Sequence, residues 1–429
     1  MASLTQRFPA LAPGWRGDAV GHLPTDRSGM YASLRRLTFR MLWLFVFVVP
    51  VEGVLLIEGV GTLSRAAGLL AVAAAVAAVI VGGRRFPVGD TQLLILAFAA
   101  WALLSLFWTV DLESTFYSAF TMVQLAVMVL LVSEFGREPE PRRQLLWAYV
   151  LGAYVGSFGA VQAFLSGQPV GESGRYAAAN ANPGGFAQVL VLAIPIAWYL
   201  YLKSDRRLQG LVARGLIPVA MLAIILTASR SALIVLPVAL SVIPLTFTRI
   251  SAIHRLLAVL SLGVAAVVVA AVVPPTTVAR LQTIPNELAE GDLSSRKQLW
   301  TASVDVFEES PWVGVGAGAT RVAIQEDIGQ RKGAHNTFLS IAGDLGIVGL
   351  ALFGLILLSV YGRALTLDKP ERYFVVVLLL TLTMFFLPSH RESDKTTWLT
   401  FAFAAGQVPV AADALRRPRD GLWLRMQRR

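Results

Sequence analysis

Seven cations, Arg175, Arg230, Arg296, Arg321, Arg331, Lys332 and Arg391, and one imidazole, His335, are the residues of this sequence best suited to chemistry on an anion. Guanidinium groups bind phosphate bidentately, so such a set suits a phosphate or diphosphate carried on a lipid. A diphosphate is already a good leaving group. It needs charge neutralisation more than a proton, so arginines with one base suffice to transfer a group from it. His335 is the candidate base. It directly precedes Asn336, which is placed to cap an apolar helix, and the positive end of that helix disfavours a protonated imidazole. A lone interfacial histidine also serves as a polar anchor, and on spacing alone both readings stand.

Other chemistries lack their residues. No paired carboxylates of the glycosidase kind occur. The four histidines show no metal spacing, and no acidic cluster suggests Mg²⁺. The absence of cysteine excludes disulfides, thiolate ligands and thiol nucleophiles.

The elements that must position these residues are membrane helices. Of 429 residues, 55% are apolar and only 15% charged, and mean hydropathy is +0.63. A soluble domain is about a quarter charged, so the expected class is an all-α, polytopic membrane helix bundle. Its net charge of +10 lies mostly in short clusters between apolar runs, which speaks for cytoplasmic loops and against nucleic acid. Apolar runs predict about twelve transmembrane helices: 41–57, 66–81, 91–109, 115–132, 145–164, 186–202, 215–228, 231–247, 256–273, 337–360, 373–387 and 397–411. Basic residues precede the first and follow every even-numbered run, which puts both termini in the cytoplasm. The expected organisation is a disordered cytoplasmic tail over 1–37, nine spans within 38–273, a long outer loop over 274–336, three spans within 337–411, and a basic cytoplasmic tail over 412–429.

This topology locates Arg230. The apolar run from Gly215 to Phe247 has basic residues at both flanks, so it must cross an even number of times. Its midpoint, Ser229–Arg230, is therefore a turn at the outer face. That placement avoids the roughly 2.5–3.5 kcal/mol of an arginine at the bilayer centre. In the long loop, Ser295 and Gln298 form a capping signal. Trp300, Val304 and Phe307 then recur at helical spacing, and Pro311 ends the run, which predicts a small helical loop domain over the bundle. Arg296 falls in the first turn of that helix, against the dipole preference, as either a solvated cation or one that answers to an anion. "GVGAG" (314–318) reads as a plain turn, with a phosphate-binding nest the alternative. Asp344, two turns inside its span, is expected to face a cavity or an arginine, and Glu52 is the other buried acid. Gly343, Gly346 and Gly349 would let another helix approach closely.

The ordered set "NANPGGFA", "LTASRSAL", "SSRKQLW…PWVGVGAG" and "HNTFLSIAGDLGIVGL" resembles the O-antigen ligase superfamily, which also contains polysaccharide polymerases. The resemblance covers roughly Arg175 to Leu352. It implies a membrane glycosyltransferase working at the periplasmic face of the bacterial inner membrane, without metal, nucleotide or other cofactor. The donor would be a glycan on undecaprenyl diphosphate. The acceptor would be a sugar hydroxyl of the lipid A core for a ligase, or another lipid-linked glycan for a polymerase. By matching motif, Arg230 and Arg296 would hold the diphosphate and His335 would orient or deprotonate the acceptor hydroxyl. Arg175, Asn336, Arg321 and Arg391 are further candidates for diphosphate or glycan contact. Gly184 departs from the family, where Asn-Pro-Asn is common. Transfer of glycan to protein uses the same donor site. A twelve-span transporter or flippase would also gather cations in a cavity, though usually with charged or broken helices near the midplane.

Overall fold

The computed structural model describes residues 25–246, apart from 54–55, 58–60, 84–87 and 171–173, and residues 296–406, apart from 330, with only scattered positions between 251 and 282. The expected ninth span and both extreme termini lie outside the described residues. Among the described residues the regular structure is helical apart from one minimal antiparallel pairing of Leu56–Ile57 with Gly61–Thr62 and an isolated antiparallel bridge between Val170 and Arg175.

Helix α1 spans Thr25–Val48, α2 Leu63–Gly82, α3 Asp90–Leu104, α4 Leu112–Gly136, α5 Pro139–Leu165 and α6 Pro183–Leu202. These are followed by α7 Arg207–Leu226, α8 Arg230–Leu240, α9 Arg296–Glu309, α10 Thr337–Leu365, α11 Glu371–Phe386 and α12 Lys395–Ala405. Among the described residues seven helices, α2 to α7 and α10, are long and apolar enough to cross a membrane, fewer than the twelve crossings expected. The apolar helix continued from α8 to Leu245, α11 and α12 fall short in length, and α1 carries Arg35, Arg36 and Arg40 along its middle.

Helix α1 also begins earlier than the composition suggests, taking in residues 25–37 of the expected tail. Tertiary contact explains this. Arg35 reaches Glu134 of α4 at 3.4 Å and stands over the Phe135 ring, so the polar start of α1 is anchored to the end of a buried helix.

Alternating helix direction sorts the charges. At one end lie the α4–α5 junction with Arg137, Arg142 and Arg143, the α6–α7 junction with Lys203, Arg206 and Arg207, and the α10–α11 junction with Arg363, Lys369 and Arg372. Lys203 and Glu371 tie two of these junctions together at 2.5 Å. At the other end α6, α8, α10 and α12 begin, and α7 and α11 finish. The core between the two ends is closed by large aromatics. Phe98 of α3, Phe353 of α10 and Trp398 and Phe401 of α12 pack with ring centroids 5.8–6.2 Å apart, all fully buried.

Residues 296–328 form a small helical unit with its own apolar cluster of Leu299, Ala302, Val306, Val315, Ala319 and Ile324. The face differs from that expected of the sequence. Val304 is 37% exposed and Trp300 and Phe307 are half-buried, because α9 turns Leu299, Ala302 and Val306 inward.

Candidate active site

The turn between α7 and α8 occupies Thr227–Ser229, where the apolar run was expected to reverse, and Arg230 is the first residue of α8. Ala228 carries the reversal with φ +49°, a left-handed conformation that a residue with a Cβ adopts at a cost of about 1–2 kcal/mol. Thr227 stabilises the turn. Its hydroxyl donates to the Ile224 carbonyl at 2.6 Å and accepts from the Ser229 amide at 3.3 Å. The loop before α6 lies across this turn. The Tyr176 amide donates to the Leu226 carbonyl at 2.9 Å, and Arg175 Nε donates to the Thr227 carbonyl at 2.8 Å. Arg175 is thus fixed beside Arg230 by backbone that the turn leaves uncapped.

Asn182 caps α6, its Oδ1 accepting from the amides of Gly184 at 2.9 Å and Gly185 at 3.2 Å. The two glycines leave room for guanidinium groups. A Cβ on Gly184 would stand 4.0 Å from Arg175 Nη2, and one on Gly185 would stand 3.4 Å from Arg391 Nη1. The position that departs from the family pattern therefore lies against one of the cations.

Opposite these residues, Trp300 of α9 donates its indole N–H to the Ala334 carbonyl at 2.9 Å and pins the loop that carries His335. His335 itself has φ +49°. Asn336 is the expected N-cap of α10, accepting from the Phe338 and Leu339 amides at 2.9 and 3.2 Å. Thr337 connects this loop to the α11–α12 loop. Its hydroxyl donates to the Ser389 carbonyl at 2.7 Å and accepts from the Arg391 amide at 3.0 Å. Arg391 is held in turn by Asp394, Nη1 to Oδ2 at 2.9 Å, and Asp394 also caps α12.

These elements enclose a cavity of about 460 Å³, lined by Arg175, Arg230, Arg296, Arg391, His335 and His390 and by the first residues of α6 and α8. Four arginines and two helix N-termini make its potential strongly positive, the arrangement that binds phosphate groups. The imidazoles report that potential. His335 is pushed down to about 4, first by burial, then by His390, Arg296, Arg391 and Lys332. His390 is also pushed down to about 4, by burial, Arg391 and Arg321, with Asp394 opposing. Both rings are therefore neutral at pH 7 and able to accept a proton. For His335, burial and nearby cations account for the lowering that was expected from the helix end. The two rings are 5.1 Å apart, centroid to centroid.

Five of the residues singled out in the sequence, Arg175, Arg230, Arg296, His335 and Arg391, meet in this cavity although they span 217 positions of the chain. Asn336 does not line it, since its side chain is occupied as a cap. Arg321 lines a smaller cavity instead, and Arg331 reaches Asp111 at 3.3 Å and Ser114 at 2.5 Å. Asp111 is correspondingly held below the usual carboxylate range, first by the Ser114 hydroxyl. His390 and Asn182 were not anticipated as lining residues. Asn182 belongs to the NANPGGFA stretch, and the sequence signal at His390 is that it is one of four histidines and adjoins Arg391.

"PWVGVGAG" has a structural task. Helix α10 is broken at Gly346, with φ +65° and ψ −165°, and the loop docks into the break. The Val315 and Gly316 amides donate to the Gly343 and Asp344 carbonyls at 2.9 Å each, and the Ile347 amide donates to the Pro311 carbonyl at 2.8 Å. A Cβ on Gly346 would meet the Trp312 carbonyl at 2.4 Å and one on Gly343 the Thr320 hydroxyl at 2.6 Å, while Gly349 faces Leu345 of its own helix, so none of the three receives another membrane helix. Asp344 faces the smaller cavity, one of its expected surroundings, and its Oδ1 accepts from the Thr320 amide at 2.9 Å. Glu52 pairs with Lys395.

Among the described residues no three His, Asp or Glu side chains are grouped to hold a metal ion. Residues 215–354, which contain Arg230, Arg296 and His335, match the family described as O-antigen ligase. No curated protein matches the chain.

Proposed function

We propose, from the premise that the chain belongs to the O-antigen ligase superfamily, that it is a metal-independent glycosyltransferase acting on an undecaprenyl-diphosphate-linked glycan at the periplasmic face of the inner membrane. The observation that carries this is the meeting of Arg175, Arg230, Arg296 and Arg391 with His335 around one cavity, where four loops and the start of α9 converge. Arg230 and Arg296 hold the donor diphosphate, aided by Arg175, by Arg391 and by the amides at the start of α8, which no side chain caps. His335 accepts the proton of the acceptor hydroxyl as its oxygen bonds to the anomeric carbon. The C–O bond to the diphosphate breaks, and its electron pair leaves with the diphosphate. Charge develops there under preorganised cations, where one donor is typically worth about 2.7–4 kcal/mol of barrier.

The gathering of basic clusters at the end away from the cavity supports a cytoplasmic assignment for that end. The shorter α8, α11 and α12 pack within the bundle, in keeping with further crossings beyond the seven long helices. We read the acceptor as a sugar hydroxyl of the lipid A core. The test is a mass profile of polyprenyl-diphosphate-linked glycans from the native host with and without the gene. Full-length chains accumulating on the lipid and vanishing from lipopolysaccharide support a ligase. Accumulation of single repeats identifies a polymerase, and an unchanged profile contradicts transfer altogether.

A further inference from the structure

A second, smaller cavity of about 40 Å³ lies behind the first, and His390 lines both. The small cavity holds Arg321, Ser118 and Ser340 and two buried carboxyl groups, Asp344 and Glu392. Glu392 is 92% buried by its 8% residual exposure. Its Oε1 accepts from the Ser340 hydroxyl at 2.8 Å, while its Oε2 has no hydrogen-bond partner. The backbone around it is firmly held, since the Trp398 indole donates to the Glu392 carbonyl at 2.6 Å. A buried carboxylate oxygen left unpaired costs free energy unless water or a proton answers it. The cavity has room for water, which needs about 10–15 Å³ by this measure.

We infer that His390 and Glu392 form a proton exit from the transfer site, taking over through His390 and the small cavity the proton that His335 removes from the acceptor hydroxyl. This rests on the transferase reading above. The driving force is the field across the site. A proton on His335 stands among Arg296, Arg391 and Lys332, whereas one moved past His390 approaches Glu392 and Asp344. The charged and titratable groups that share a cavity or an electrostatic contact with His390 are His335 from the loop before α10, Arg296 of α9, Arg321, Asp344 of α10, Arg175, Arg230, and Arg391, Glu392 and Asp394 of its own loop, while Lys332 acts on His335. Burial pushes the Glu392 carboxyl up, which makes it a better proton holder. Gly333 permits the arrangement, since a Cβ there would stand 3.3 Å from His390 Nδ1. The proton taken from the acceptor is thus held on Glu392 and leaves to bulk water after product release. No other atom changes hands. His390 and Glu392 act through His335 and are positioning residues for its proton.

The test uses full-length protein in liposomes with polyprenyl-diphosphate-linked glycan and acceptor, comparing wild type with His390→Ala, Glu392→Gln and Arg230→Ala. His390→Ala and Glu392→Gln are expected to lose about 10²-fold in kcat, with KM for the donor little changed. Added imidazole should restore His390→Ala by about tenfold or more, the scale of a returned proton acceptor and not of repaired packing. Wild-type kcat in both variants, or a loss in His390→Ala that imidazole leaves untouched, overturns the exit route. Arg230→Ala separates the two levels. If it is inactive while His390→Ala is fully active, only the exit route fails. If Arg230→Ala is active, the transferase reading fails with it.

Discussion

Lowering the pH should stop transfer by protonating His335, and the pH at which it does so should depend on whether the donor is bound. In the empty cavity burial, His390 and the cations Arg296, Arg391 and Lys332 hold this imidazole down to about 4. The neutral ring is the active form, so the rate falls as pH drops through that value. The pH dependence of kcat/KM reports the free enzyme, and its acid limb should lie near this low pH. A bound diphosphate reverses the local field. One negative charge about 6 Å from the ring, at an effective dielectric of about 20, favours the imidazolium by roughly 2.8 kcal/mol, or about two pH units. The acid limb of kcat, which reports the complex, should therefore stand about two units above that of kcat/KM. The assay is initial transfer rate in liposomes from about pH 3.5 to 8 at varied donor concentration. Coincident limbs, or a kcat/KM limb at the ordinary imidazole value, would refute the reasoning, since either means the cations do not act on His335. Arg296→Gln provides the internal control, because removing one of those cations should move the free-enzyme limb upward.

Three further outcomes are expected. Arg230→Ala should lose about 10²–10³-fold in kcat while the protein still inserts, and Arg230→Lys should recover little of it because the planar fork is lost; transfer by the purified variants measures this. Gly185→Val should lower activity more than Gly185→Ala, because a Cβ already stands 3.4 Å from Arg391 Nη1 and a larger side chain displaces that guanidinium; transfer rate at matched expression is the readout. Gly346→Ala should destabilise the fold by about 2 kcal/mol or more, since the new Cβ meets the Trp312 carbonyl at 2.4 Å in a left-handed backbone; the thermal transition in detergent should fall accordingly.

The sequence made Arg230 and the His335–Asn336 pair legible because their signals are local. A long apolar run bounded by basic residues at both ends must reverse near its middle, and Arg230 begins the helix after that reversal. An asparagine before an apolar helix caps it, and Asn336 does so. That same cap occupies its side chain, a consequence the motif alone does not reveal. What escaped the sequence depends on contacts between distant segments. The stretch around Gly346 reads as one continuous span despite Asp344, and its break is accommodated by hydrogen bonds that the Pro311–Gly316 loop supplies. The inward face of α9 was misjudged for the same reason, since residues Val315 to Ile324 decide which side is covered. His390 carries no periodic or capping signal. Its significance arises from a 5.1 Å approach to a histidine 55 positions away. Arg175, Arg391 and Arg321 looked alike in sequence, yet two share the large cavity and the third serves the small one.

The most direct measurement is transfer by the purified protein in liposomes, without added divalent metal, following the polyprenyl diphosphate released and the glycan joined to an added lipid A core acceptor. Release and transfer in equal amounts, both lost in Arg230→Ala and in His335→Ala, are the expected result. Transfer near the wild-type rate in either variant, or a wild-type protein that releases no diphosphate from any lipid-linked glycan, would contradict the assignment of this cavity as the transfer site.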